Sequence, residues 1–321
     1  MVTGAGSGIG RALVLDLARR GCKVAACDIQ SDAVEETVAQ AGGERGDQVR
    51  GYVFDVSDRD AFFRHAELIK SDFGQPANLI VNNAGVGLGA SVREMRWEDF
   101  EWLMGINFWG VCYGTQAFLP QLIDSGDGHV VNVSSIYGMI SGPLTSAYNA
   151  AKFGVRGYTE SLRIEMRAER QPVAVSCVHP GGIRTNIAKS SRLTTNAGLD
   201  QADFSKWFER ITLTSPEKAA AIIIDGIRRN RPRILVGPDA RVIDLMQRTL
   251  GIRYQWVAGV LLNPLMYGKS NNAAATPPAP PASTPAAAAK PAAKAKVPRK
   301  RTTKTAKSAA DRVTAASESV T

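Results

Sequence analysis

Short apolar runs alternate with longer amphipathic ones along most of this chain, and no other feature limits its fold as tightly. Strands are expected at 23–28, 49–55, 78–82, 128–134 and 173–178, with a sixth at 233–236. Helical periodicity fills 10–21, 30–41, 59–73, 97–122, 147–168 and 216–229. Strands separated by helices predict a parallel sheet covered on both faces. The 321 residues are 44% hydrophobic, enough for one α/β domain of about 250 residues. No run approaches the ~18 apolar residues of a membrane span. Met1 leads straight into a glycine-rich turn, so no signal peptide is expected. Only Val2 and Thr3 precede that turn, whereas a central strand usually has about 5–6 residues. The expectation is roughly five further β-branched, apolar residues upstream of Met1.

The turn runs Thr3-Gly4-Ala5-Gly6-Ser7-Gly8-Ile9-Gly10. Backbone N–H groups of such a turn, with the start of the following helix, suit a pyrophosphate. Gly4, Gly8 and Gly10 hold the tight positions. Asp28 ends the next expected strand. Its carboxylate can accept from both hydroxyls of an adenosine ribose and would repel a 2′-phosphate. No Arg or Lys stands at Ser7, Ile29 or Gln30 to attract that phosphate, so NAD is expected over NADP. The alternative is a strand-end Asp that caps the next helix. Asp55 and Val56 stand at the end of the strand expected at 49–55 and suit the adenine edge. Asn82-Asn83-Ala84-Gly85 ends the strand expected at 78–82, where open sheets bind ligands.

Tyr148 and Lys152 lie at i and i+4, on one helix face, and Ser135 stands thirteen residues before the tyrosine. A free phenol has a pKa of about 10. A neighbouring ammonium is expected to lower it. Tyr148 could then exchange a proton with a substrate oxygen that Ser135 orients.

On these motifs the chain resembles the short-chain dehydrogenases/reductases over residues 1 to about 240. The TGxxxGxG, NNAG and Ser–Tyr–xxx–Lys patterns are all present, at Thr3–Gly10, Asn82–Gly85, and Ser135 with Tyr148 and Lys152. The resemblance implies a single Rossmann-like, doubly wound parallel sheet of about seven strands with helices on both faces. It implies Asn107 as a catalytic residue holding a water that links Lys152 to solvent. It implies cofactor contacts from Ser7, Ile9, Asn83, Ala84 and Gly85, and from Pro180, Gly181, Ile183 and Thr185. It implies no metal, and His65, His129 and His179 are scattered. The expected assembly is a homo-oligomer, dimer or tetramer.

Residues 86–92 and 136–147 carry no charge and by resemblance border the substrate. An apolar alcohol or ketone, long-chain, cyclic or steroid-like, is the expected substrate. A 3-oxoacyl thioester reductase is the runner-up. Residues 186–215 are expected to form a lid in which Lys189 and Arg192 could meet an anionic handle. The stretch 254–268 is uncharged and apolar. It could cover the pocket, bury itself against a second subunit or rest on a membrane, and packing on protein is favoured. Cys22, Cys27, Cys112 and Cys177 form no CxxC pair and are expected as buried, reduced thiols of a cytoplasmic protein.

The net charge of +9 is concentrated at one end. Residues 271–321 carry +7 and the other 270 carry +2. Ala, Pro, Lys, Thr and Ser dominate this tail, so it is expected to be disordered, outside a domain spanning 1–270. A function of another class, binding nucleic acid or an anionic surface, would work through this tail.

Overall fold

The computed structural model describes residues 1–42, 48–185, 187, 191–194 and 212–257. The tail and residues 258–268 lie outside these, as does most of the expected lid. Nine strands are described: β1 (Val2–Thr3), β2 (Val24–Asp28), β3 (Val49–Val53), β4 (Leu79–Asn82), β5 (Leu88–Ala90), β6 (Gly128–Val133), β7 (Val173–Pro180), β8 (Arg192–Thr194) and β9 (Arg233–Val236). Seven form one parallel sheet in the order β3-β2-β1-β4-β6-β7-β9. The order reverses between β1 and β4, which opens a crevice at the carboxyl ends of those strands. β5 and β8 pair separately in parallel.

Helices α1 (Gly8–Arg19), α2 (Ser31–Gly42) and α7 (Pro216–Arg228) cover one face. Leu13, Val14 and Leu17 meet Ile223 and Ile224 there. Helices α3 (Arg59–Phe73), α5 (Gly110–Asp124) and α6 (Ser146–Ala168) cover the other, burying Phe62, Phe118, Leu122 and Leu162. The expected doubly wound sheet of seven strands is thus present. β5, β8 and a last helix α8 (Pro238–Leu250) were not foreseen. Both small strands have only three residues, too few to show a period of two.

The helix expected over 97–122 is interrupted. α4 (Trp97–Met104) passes into a π turn, Gly105–Trp109, before α5 begins. A π turn inserts one residue and redirects the side chains around it, often at functional positions. Here it carries Asn107. The cysteines are unpaired, and Cys22 is exposed rather than buried.

β1 is short, as its sequence requires, and the ammonium of Met1 donates to the Leu79 carbonyl at 2.8 Å. Burial pushes that amine down to about 6. Beside it lies a cavity of about 90 Å³ lined by Met1, Val24, Ala25, Ile69, Phe73 and Leu79. A variant carrying four alternating β-branched residues in front of Met1 replaces the buried amine with a peptide group and fills this space. Its melting temperature should rise by several degrees; an unchanged value would mean that the edge of β1 imposes no cost.

Candidate active site

The glycine turn joins β1 to α1 under the end of β4. Gly4 has φ +64°, and a Cβ on it would lie 2.8 Å from the Ala84 Cα. A Cβ on Gly10 would run into the Gly4 carbonyl. The turn can therefore follow this path only without side chains at these places. Thr3 clamps it from below, its hydroxyl oxygen accepting from the amides of Asn83 at 2.9 Å and Ala84 at 3.0 Å. Asn83 Nδ2 donates back to the Thr3 carbonyl at 2.9 Å. Arg11 braces the turn from α1, donating to the Gly6 carbonyl, to Glu36 and to Thr37. Ser7 stands at the N-cap of α1 without capping it through its side chain. The first-turn amides therefore gain nothing from that hydroxyl and point into the crevice as donors for an anion.

Asp28 closes one side of this cradle. Its carboxylate accepts from the Gly6 amide at 2.9 Å and the Gln30 amide at 3.2 Å. Asp28 thus braces the glycine turn, and its second bond is to Gln30, one residue before α2 begins, so it does not cap that helix. Thr185 covers the other side, its Cγ2 3.0 Å from where a Cβ of Gly8 would stand. Pro180 ends β7, the Gly181 amide donates to the Val236 carbonyl, and Ile183 is buried and bridged to Thr214. Asp55 accepts from the amide and hydroxyl of Ser57, and Val56 is buried against α3 and α5. This pair lies at the end of β3, and no hydrogen bond ties it to the glycine turn. The glycine cradle and the uncapped helix start fit the pyrophosphate of a nicotinamide dinucleotide.

The proton-transfer group gathers beyond the ends of β4 and β6. Ser135 follows β6, its hydroxyl oxygen accepts from the Tyr137 amide at 3.1 Å, and it lies close enough to Tyr148 to act on its phenol. Lys152 is buried, donates from Nζ to the Val133 carbonyl at 2.9 Å, and sits 5.7 Å from the Tyr148 ring centre. Asn107 is buried in the π turn and exchanges two hydrogen bonds with the Val86 backbone, at 2.8 and 2.9 Å. A Cβ on Gly85 would lie 3.3 Å from Asn107 Oδ1 and 3.6 Å from Lys152 Nζ, so these two groups face one small space.

The electrostatics differ from the sequence expectation in one respect. Burial pushes the Tyr148 phenol up to about 12; the neighbouring Ser135 hydroxyl opposes this and Tyr137 adds to it. Lys152 does not pull the phenol down, because burial lowers its own pKa to about 8 and its ammonium is spent on a carbonyl. At neutral pH Tyr148 therefore carries its proton.

The two uncharged segments meet, as Ala90 donates to the Leu144 carbonyl at 2.8 Å and bridges to Thr145. Leu88, Met139, Ile140 and Leu144 are buried around them. Asn149 holds the second segment by donating to the Tyr137 and Ile140 carbonyls. Arg192 is not available for an anionic substrate group. It pairs with the buried Asp99 at 2.9 Å and lies over the Trp102 ring at 3.7 Å. Lys189 lies outside the described residues. Thr3 opens the glycine motif, but its bonds to Asn83 and Ala84 were not foreseen. Arg11, Thr37 and Asn149, and Asp239 accepting from the Gly182 amide, also shape the site and were missed as site residues. No motif marks them: Arg11, Thr37 and Asp239 reach residues more than twenty positions away, and Asn149 reaches loop carbonyls nine and twelve positions away.

The histidines are structural in their contacts. His179 shares a hydrogen bond with the Ser135 carbonyl and His129 one with the Ser176 hydroxyl. Burial lowers each to about 4, against about 6.5 in the unfolded chain. The unfolded chain takes up protons first, so their contribution is complete above about pH 6.5 and is lost as pH falls towards 4. Unfolding free energy in urea should drop by several kcal/mol, roughly 3 per histidine, between pH 7 and pH 4. A flat profile would contradict the neutral buried state.

Among the described residues no three metal-binding side chains converge, and no helix is long and apolar enough to cross a membrane. Comparison with known proteins agrees with this geometry. The family model for the short chain dehydrogenases matches residues 1–196. SadH of Mycobacterium tuberculosis, provisionally named an oxidoreductase, is 45% identical over 256 residues, covering 79% of this chain and 91% of SadH. A C alpha-dehydrogenase of Sphingobium is 32% identical, covering 75% and 80%. The crystal structure of a short-chain dehydrogenase/reductase from Burkholderia phymatum in complex with NAD superposes with a TM-score of 0.69 at 28% identity, over 82% of this chain and 93% of that one. With its glycine cradle, NNAG turn and Ser–Tyr–Lys group in one crevice, this chain belongs to the short-chain dehydrogenase/reductase family of oxidoreductases.

Proposed function

We propose that this protein transfers a hydride between NAD and an apolar secondary alcohol or its ketone, with Tyr148 as the acid–base group. The observation that carries this reading is the convergence of Tyr148 and the buried Lys152, 5.7 Å from its ring centre, with Asn107 facing the same space at Gly85. A bound nicotinamide supplies or accepts the hydride. Ser135 orients the substrate oxygen with its hydroxyl. In reduction the Tyr148 hydroxyl gives its proton to the carbonyl oxygen as the hydride reaches the carbon; in oxidation the phenolate takes that proton back. Asn107 and Lys152 hold the water through which the proton is replaced. Burial keeps the phenol protonated at neutral pH, which is the form that donates in ketone reduction.

The apolar walls at Leu88, Ile140 and Leu144 support an apolar substrate. A 3-oxoacyl thioester reductase from Thermotoga maritima is 32% identical over 228 residues. That alternative is less well supported here because Arg192 is already committed to Asp99. We assign catalysis to residues 1–270 and place the tail, 271–321, outside it.

The Asp28 carboxylate beside Gly6 supports NAD as the cofactor. A panel of apolar ketones and alcohols, followed by absorbance of the reduced cofactor with NAD and with NADP, tests the reading. The wild type should favour NAD in kcat/KM by at least about tenfold, the effect of roughly 1.4 kcal/mol of charge repulsion. Asp28→Ala combined with Ile29→Arg should move the preference towards NADP. Equal use of both cofactors by the wild type would remove Asp28 from the ribose site.

A further inference from the structure

The outer face of α8 and the turns after it have no partner among the described residues. Val242, Leu245, Ile252 and Trp256 recur at helical spacing and are 65%, 63%, 75% and 76% exposed. Their inner neighbours are buried. Ile243, Met246 and Tyr254 pack on Ile140, and the Tyr254 hydroxyl oxygen accepts from the Ser141 amide at 3.0 Å. One segment thus has an inner face rooted in the loop between Ser135 and Tyr148 and an outer face turned to solvent.

Charge selects what that outer face meets. Residues 238–257 contain two carboxylates, and both turn inward. Asp239 accepts from the Gly182 amide, and Asp244 pairs with Arg233 and Arg248. Arg241, Arg248 and Arg253 are all exposed around the apolar stripe. Beyond the segment the sequence continues with the +7 tail. A second copy meeting this face by two-fold symmetry would bring arginines against arginines. An anionic lipid surface has the opposite charge. It also accepts aliphatic side chains below its headgroups and Trp at their level, and long basic side chains reach its phosphates.

We propose that the outer face of α8, with Ile252 and Trp256, docks this enzyme on an anionic membrane surface. The protein lies on the bilayer without spanning it. The apolar stripe and the basic tail act as two weak anchors, and stable attachment needs both kinds. Through Tyr254 and Ser141 the same segment sets the substrate loop beside the bilayer, where apolar molecules concentrate. That last step rests on the substrate reading above; the docking itself does not.

Flotation of the full-length protein with vesicles tests the docking without any substrate. Vesicles of phosphatidylcholine alone should bind little, and those mixed with phosphatidylglycerol should bind in a salt-sensitive way, with a blue shift of emission that Trp256→Phe removes. Leu245→Glu with Ile252→Glu should lower binding at least about tenfold. Melting temperature, oligomeric state and turnover of a short water-soluble alcohol should stay unchanged in that variant. Several outcomes overturn the proposal. One is failure of the wild type to float; another is undiminished binding by the double variant, which would leave the tail as the whole anchor. Dissociation of an oligomer by the substitutions would make the face a contact between copies. A lower melting temperature with unweakened binding would make the stripe a surface covered by the chain's own residues.

Discussion

Tyr148→Phe is expected to lower kcat by about 10³-fold or more, at the upper end of what one general acid–base group contributes. The substitution removes a single oxygen. The ring keeps its contact with Tyr137 at 6.2 Å between centres, so the fold and the cofactor cradle should survive. Binding of the reduced cofactor, read by its fluorescence, should change little. Wild-type enzyme has a pH signature that the variant lacks. Because the free site holds the phenol near 12, the base form needed for alcohol oxidation is scarce at neutral pH. Oxidation by the wild type should rise with pH, by up to about tenfold per unit below the titration point, while ketone reduction should not rise. Near-normal turnover by Tyr148→Phe, or oxidation that does not respond to pH, would require a different proton carrier.

Gly10→Ala should produce the second large effect, and it acts on the cofactor. The added methyl group meets the Gly4 carbonyl and Asn83 Nδ2 on the opposite side of the same turn. Neither is the free end of a flexible chain, since Asn83 is tied to the Thr3 carbonyl. The turn must open, and overpacking of this kind costs about 1–3 kcal/mol. Affinity for the reduced cofactor should fall by roughly 5–150-fold, the equivalent of that energy. Gly157→Ala, in α6, is a suitable control, because like Gly10 it has no positive φ and no atom would lie within 4 Å of its Cβ. If Gly10→Ala bound cofactor normally, the turn would not be the phosphate cradle.

Much of this was legible before any coordinates, and the reason differs between parts. The sheet was legible because its strands are short and rich in Val, Ala and Ile, as at Val24–Asp28 and Leu79–Asn82, and are separated by amphipathic helices of ordinary length. The crevice residues were legible because they lie within compact local motifs: four residues separate Tyr148 from Lys152, and one short turn holds Gly4, Gly8 and Gly10. The π turn at Gly105–Trp109 was not legible, since an extra residue inside a helix leaves its apolar pattern nearly continuous. Helix α8 was missed although its pattern is amphipathic, because its apolar residues are divided between two faces, with Ala240, Ile243 and Met246 turned inward and Val242 and Leu245 outward.

The sequence by itself determined the class of fold, the family and the residue types that could hold a dinucleotide and move a proton. Those features depend on periodicity and on neighbours a few positions apart, which a linear chain displays directly. Tertiary structure alone decided how the groups behave. The expected lowering of the Tyr148 pKa gives way to a rise because burial outweighs an ammonium that is itself desolvated and bonded to Val133. Arg192 leaves the substrate's side because Asp99, ninety-three positions away, is buried within its reach. Trp256 and Tyr254, two residues apart in one apolar run, face opposite ways because one has the Ser141 amide to meet and the other does not. Charge state, pairing and exposure are set by which distant atoms surround a group, and only the folded chain brings those atoms together.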